Sequence, residues 1–211
     1  MNPKHRGAEL EAYTLKVGVL LLAAGRGTRF GSDKRRARLP DGRQLLERSI
    51  ANLAETGLPF CVALGPGDDV LAEALAARAV ETLRCTEAPR GMGATLAAAV
   101  RQLPPWDAVL VALGDMPWLR PASISAVARV SGPDAICVPC HNGRRGHPVA
   151  FGGRFLPELA ALDGDRGARD LLLRHAAAVR ELPVDDPGVL RDVDRPADLI
   201  WAALYPGSQE S

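Results

Sequence analysis

Two stretches of this chain combine reactive side chains with backbone freedom. The first is Gly25-Arg26-Gly27-Thr28-Arg29-Phe30-Gly31-Ser32-Asp33-Lys34, which follows an apolar run ending at Leu22. Its glycines let backbone N–H groups approach a ligand, and Arg26, Arg29 and Lys34 add positive charge, so phosphate is the natural partner. The spacing of Gly25, Gly27 and Gly31 fits neither the Walker pattern G-x-x-x-x-G-K-[ST] nor the dinucleotide pattern G-x-G-x-x-G. The second stretch is Gly114-Asp115-Met116-Pro117, after the apolar run 108–113. A carboxylate in that place suits a divalent cation such as Mg²⁺. A basic loop facing a carboxylate across one crevice describes a site for a nucleotide and its metal. A third acidic stretch, Asp192-Val193-Asp194, precedes Pro196, and a helix cap accounts for Asp194 there as well as a ligand role does.

The elements that must position these residues alternate. Apolar strands are expected at 16–22, 59–64, 80–85, 108–113, 135–139 and 179–184, with a short apolar piece at 148–151 after a polar loop at 141–146. Helices are expected at 44–55, 68–77, 92–103, 121–130, 155–162, 168–175 and 196–204, with Asp68 or Asp69 capping the second. Strands without polar alternation, interleaved with helices, predict a single-domain, Rossmann-like three-layer α/β/α fold with a mostly parallel sheet. Ligands of such folds bind beyond the carboxyl ends of the strands, where both stretches sit.

Residues 1–15 read as an N-terminal extension, 16–205 as the domain and 206–211 as a frayed tail. The 211 residues, 47% hydrophobic and 24% charged, suffice for one domain with a proper core. A net charge of +1 and 4% aromatics argue against nucleic acid as a partner. No apolar run could span a bilayer and residues 1–11 lack the apolar core of a signal peptide, so the expected location is cytoplasmic. Cys137-Val138-Pro139-Cys140-His141 matches the haem-attachment pattern C-x-x-C-H, but it lies on an expected strand, with no export signal. A zinc site would need more ligands, and the four cysteines read as small buried hydrophobes.

Three motifs carry a family resemblance. Leu22-Ala23-Ala24-Gly25-Arg26-Gly27-Thr28-Arg29-Phe30-Gly31, followed by Lys34, resembles the signature L-A-[AG]-G-x-[SG]-x-R-[FM]-G-x-x-K of nucleotidyltransferases with the nucleotide-diphospho-sugar transferase fold. Gly114-Asp115-Met116-Pro117 resembles that family's G-D-x-P metal motif, and Asp192-Val193-Asp194-Arg195-Pro196-Ala197-Asp198-Leu199 its late D-[IV]-D-x-P-x-D-L motif. Within the family, the chain is most similar to the cytidylyl branch of the molybdenum-cofactor nucleotidyltransferases. Ala24, Gly91-Met92-Gly93, Arg145-Gly146-His147-Pro148-Val149 and Gly164-Asp165-Arg166-Gly167-Ala168-Arg169 carry that likeness. Residues 35–40 are more basic than the apolar stretch common there, and Gly91-Met92-Gly93-Ala94-Thr95 replaces a serine-rich version.

The resemblance implies Mg²⁺-dependent attack by the terminal phosphate of molybdopterin on the α-phosphorus of CTP, with release of pyrophosphate. The nucleophile is already an anion, so no histidine-centred base is needed. It implies that Arg29, Lys34 and Asp115 carry catalysis. Leu22, Ala23, Ala24, Gly25, Arg26, Gly27, Lys34, Gly91, Met92 and Gly93 would hold the nucleotide. Arg145, His147 and Arg169 would face the pterin; Asp115 and Asp194 would hold the metal, with Asp192 orienting Asp194. A molybdoenzyme or its chaperone is the implied protein partner. The runner-up readings are transfer from GTP, another phosphorylated acceptor, or a non-catalytic protein that binds nucleotide or cofactor and delivers it.

Overall fold

The computed structural model describes residues 15–25 and 30–200. Strand β1 (Val17–Leu22) is apolar and almost wholly buried. It pairs in parallel with β2 (Phe60–Leu64) on one side and β4 (Ala108–Leu113) on the other, and β3 (Glu81–Arg84) extends the sheet beyond β2, also in parallel. The chain thus winds outward from β1 through β2 to β3, then returns to the far side of β1 as β4. That reversal opens a crevice at the carboxyl ends of β1 and β4, the usual ligand position in such sheets.

The second half departs from parallel order. The short piece after the polar loop is β7 (Val149–Gly152), which runs antiparallel between β4 and β5 (Ile136–His141). The polar loop itself is largely a hairpin: β5 continues to His141 and pairs with β6 (Arg144–Arg145). Asn142 at φ 49° and Gly143 at φ 73° make the tight turn, in the left-handed pair that two-residue hairpins favour. Strand β8 (Val179–Pro183) pairs in parallel with the other edge of β5. Strands β5 and β8 fall on expected strands, whereas the polar loop at 141–146 and the short apolar piece at 148–151 become β6 and β7 only through pairing with neighbours.

Helices cover both faces. Helices α1 (Leu45–Ala54), α2 (Asp69–Ala76) and α4 (Pro121–Val130) pack on one, around Val19, Leu21, Val62 and Leu110. Helices α3 (Met92–Val100), α5 (Leu156–Ala160) and α6 (Arg169–Arg174) pack on the other, around Leu20, Ala63, Val109 and Phe151. Alternate residues of one strand therefore feed two cores, as the period of two requires. Near the C-terminus, Pro196–Ile200 is a 3₁₀ turn, and the rest of the expected last helix lies outside the described residues. No helix among the described residues is long and apolar enough to cross a membrane.

Candidate active site

The crevice is a cleft of about 670 Å³. Its floor is built from the strand ends. Leu22 of β1 is in register with Leu113 of β4, and the Gly114 N–H donates to Leu22 O at 2.9 Å. A side chain at Gly114 would press on Ala23 and Leu46, both about 3.1–3.2 Å from where its Cβ would lie. Small residues at the strand ends thus let the turn at Gly114 lie close against Ala23, with Asp115 following it into the cleft. Helix α1 holds the turn after β4 from below. Ser49 Oγ donates to Gly114 O at 3.0 Å, and Asn52 Nδ2 donates to Pro117 O and Leu119 O, both at 2.9 Å.

Lys34 opens a 3₁₀ turn (Lys34–Arg36) across the cleft. Its Nζ donates to Asp115 Oδ2 at 2.7 Å and to Val193 O at 3.1 Å, and lies 3.5 Å from Asp194 Oδ1. Residues from three motifs, with Lys34 and Val193 159 positions apart, therefore meet at one ammonium. The buried side chain of Val193, and its N–H donated to Asp115 O at 2.9 Å, dock the acidic segment on β4. The turn after Asp194 is capped by Asp198, whose Oδ2 accepts from the N–H groups of Asp194 and Arg195 at 3.0 and 2.7 Å. Among the described residues, the buried Asp115 Oδ1 has no hydrogen-bond partner. Partial burial, with Asp194 and then Asp115 nearby, raises the Asp192 carboxyl above its ordinary value, against the pull of its own backbone N–H and, less, of Lys34.

Arg35 has a different occupation. Its guanidinium is buried, with Nε donating to Asp33 Oδ1, Nη1 to Ala23 O and Asp68 Oδ2, and Nη2 to Asp33 Oδ2 and Asp68 Oδ1, all within 2.8–2.9 Å. Every N–H of the fork is used, so none remains for a phosphate. Two carboxylates also outweigh its charge locally. Asp68 stands at the N-cap position of α2 as expected, but its side chain makes no cap hydrogen bond and accepts from Arg35 and from the Gly65 N–H at 2.9 Å. One ion-pair cluster thus ties the basic loop to the ends of β1 and β2. Hydrogen bonding to Arg35 holds the Asp33 carboxyl below its ordinary value.

The nucleotide-side residues Leu22, Ala23, Ala24, Gly25, Lys34, Gly91 and Met92 line the cleft, with Leu45, Ala88, Leu113, Thr95 and Asp165, which the sequence reading did not single out. Thr95 and Asp165 lie inside quoted motifs, so motif membership was the available signal. Gly93 sits behind the wall: its N–H donates to Gly164 O at 2.7 Å, and an added Cβ would lie 2.8 Å from Asp163 O. Gly91, at φ 120°, leaves no room for a side chain beside Asp165. The segments 91–95 and 163–167 therefore form one wall. Of the pterin-side residues, His147 is half-buried, its Nδ1 3.5 Å from Val111 O, and burial holds its imidazole below the ordinary value. Arg145 is on β6 and pairs with Glu181 at 2.8 Å, and Arg169 is exposed at the start of α6; none of these three residues, His147 included, lines the cleft. Arg26, Gly27 and Arg29 lie outside the described residues.

The cysteines are buried and unpaired. Burial pushes the Cys61 thiol up to about 12 and the Cys85 thiol up to about 11, and raises Cys137. Cys137 and Cys140 are three apart on β5 and so point to opposite faces. Among the described residues no group of three or more His, Cys, Asp or Glu side chains could close on one metal ion. Of the three carboxylates lining the cleft, Asp115 and Asp194 stand together at the Lys34 ammonium, and a pair suits a metal taking its other ligands from water and phosphate.

A family model described as the MobA-like NTP transferase domain matches residues 19–179, which include the β1 loop and the β4 carboxylate. The chain belongs to this family. It is a MobA-like nucleotidyltransferase, and its fold is that of the nucleotide-diphospho-sugar transferases. Among relatives of this MobA-like domain, the purine catabolism protein PucB of Bacillus subtilis (strain 168) is 29% identical over 125 residues. That match covers 57% of the chain and 60% of PucB, so it spans less than two thirds of the relative's length. Rv0371c of Mycobacterium tuberculosis H37Rv superposes with a TM-score of 0.78 at 28% identity, over 94% of this chain and 100% of that one. Another structure of Rv0371c is a complex with manganese, with a TM-score of 0.73 at 27% identity over 87% and 95% of the two chains. The molybdopterin-guanine dinucleotide biosynthesis protein A of Archaeoglobus fulgidus shares the fold, with a TM-score of 0.65 at 22% identity over 91% and 100%.

Proposed function

We propose that this nucleotidyltransferase moves CMP from CTP to the terminal phosphate of molybdopterin, with Mg²⁺ held by Asp115 and Asp194. The observation that carries the reading is the meeting of Lys34, Asp115 and Asp194 at the switch-point cleft. The donor set fits a hard divalent cation: two carboxylates, one with a buried oxygen lacking a partner among the described residues. Such a cation, when bound, neutralises charge on the phosphates. Gly25 offers backbone N–H groups to the triphosphate, and Arg26 and Arg29 are assigned to the same task. Lys34 offsets the charge that builds on the leaving pyrophosphate. Ala24, Gly91 and Met92 bound the space for the base, and Ala24 favours the cytidylyl branch. His147, Arg145 and Arg169 are assigned to the acceptor side. The chemistry is positioning and charge neutralisation around an acceptor that is already nucleophilic.

The test is pyrophosphate release with molybdopterin as acceptor, comparing CTP with GTP, each with Mg²⁺ or Mn²⁺. CTP and Mg²⁺ are expected to support turnover, and Asp115→Asn to lower kcat by about 10²-fold or more, the scale of a lost electrostatic contact at a reacting phosphate. Preference for GTP would overturn the choice of nucleotide. Nucleotide binding without any pyrophosphate from an intact acceptor would favour a binding and delivery protein.

A further inference from the structure

The Lys34 ammonium is caged by three oxygens: Asp115 Oδ2 at 2.7 Å, Val193 O at 3.1 Å and Asp194 Oδ1 at 3.5 Å. Carboxylate and carbonyl oxygens are also what a hard divalent cation takes. A metal held by both aspartates would compete with Nζ for Asp115 Oδ2 and Asp194 Oδ1, and one taken by the buried Asp115 Oδ1 would still stand a few ångströms from the ammonium; two cations that close in a part-buried cleft repel strongly. Lys34 has the means to leave. Its backbone is pinned by the neighbouring Arg35, which is tied to Ala23, Asp33 and Asp68, while its own flexible four-carbon stem can re-aim the ammonium. The triphosphate is the other strong anion that this cleft is proposed to receive.

We propose that Lys34 is the resident cation of the Asp115–Asp194 pair, and that it is exchanged onto the triphosphate when a divalent cation takes the pair. This rests on the reading that the two aspartates hold the metal. Metal alone binds weakly, because it must evict the lysine. Metal and nucleotide bind together, because the nucleotide receives the evicted ammonium, and the coupling is reciprocal. A lysine that occupies the pair nine-tenths of the time weakens metal binding about tenfold.

Two measurements on the full chain test this. The first labels amines of the wild-type protein with an acetylating reagent and reads Lys34 by mass spectrometry. With its side chain only 12% exposed and ion-paired, Lys34 is expected to label slowly. Saturating MnCl₂ without nucleotide is expected to raise labelling by about threefold or more, and MnCl₂ with CTP to bring it back down. Unchanged labelling in saturating MnCl₂ overturns the exchange. The second follows free Mn²⁺ by electron paramagnetic resonance. Lys34→Met is expected to bind Mn²⁺ about tenfold tighter than wild type without nucleotide, and to lose most of the gain that CTP confers. Equal or weaker Mn²⁺ affinity overturns the exchange. Should Lys34→Met not fold, the labelling measurement decides alone. Asp115→Asn separates the two levels. If it leaves Mn²⁺ binding intact, the metal reading falls and takes the exchange with it. If it abolishes binding while wild-type labelling ignores Mn²⁺, only the exchange falls.

Discussion

Two neighbouring cations, Lys34 and Arg35, have opposite fates. Sequence type makes them alike, yet one presents its charge to the cleft and the other spends every donor on Asp33, Asp68 and Ala23. Breaking a buried pair by removing one partner leaves an uncompensated charge. Arg35→Met should therefore cost about 3 kcal/mol of stability in urea unfolding. In the Asp68→Leu background the same substitution should cost clearly less, since the stranded carboxylate is gone. A full additive loss would show that the pair is not coupled. The position of Lys34 at the cleft was legible from its spacing in the loop motif. That of Arg35 was not, because its partner Asp68 is 33 residues away and nothing local marks the two as neighbours.

At the scale of elements, the acidic segment reaches the cleft because a latch upstream holds it. The buried Asp186 accepts from Arg120 N at 3.0 Å and Ser123 Oγ at 2.7 Å through Oδ2, and from Gly188 N at 2.8 Å through Oδ1. It thereby joins the start of α4 to the 3₁₀ turn Pro187–Leu190, which leads to Asp192–Asp194. Asp186→Ala would orphan these donors, and should cost about 2 kcal/mol in denaturant unfolding. It should also raise the metal concentration needed for half-maximal pyrophosphate release, since Asp194 would lose its anchor. An unchanged metal requirement would show that Val193 docking suffices. The long strands and helices were legible from apolar runs and their spacing. The antiparallel insertion of β7 and the pairing of β6 were not, since direction and neighbour are not written in a short apolar or basic stretch.

At the scale of the molecule, the cleft is bounded by residues from both halves of the chain, and the half-buried imidazole of His147 lies outside that lining, where its titration bears on the stability of the fold. His147 donates its N–H to Val189 O at 2.9 Å and lies under the same segment that carries Val193. Burial depresses its folded pKa below 6.5, outweighing the opposite pull of the Val111 carbonyl, Asp115 and Asp192. The unfolded chain then takes up the proton first as pH falls. Stability should drop from about pH 6.5 down to the depressed folded value and level off below it as far as this group is concerned. His147→Gln should flatten that slope in thermal melts across pH 7 to 5. A slope that persists unchanged would assign it to other groups.

The sequence by itself determined the local terms. Apolar runs declared the buried strands, glycine and proline declared their ends, and the order of the loop, G-D-x-P and D-x-D motifs declared a nucleotidyltransferase. These are properties of residue type and short spacing, which a linear reading can hold. Only the tertiary structure decided which charges are spent internally and which face the cleft, and that Lys34 meets two carboxylates at once. Those outcomes depend on through-space distance between residues far apart in the chain, and electrostatic and hydrogen-bond energies follow distance and burial rather than sequence order.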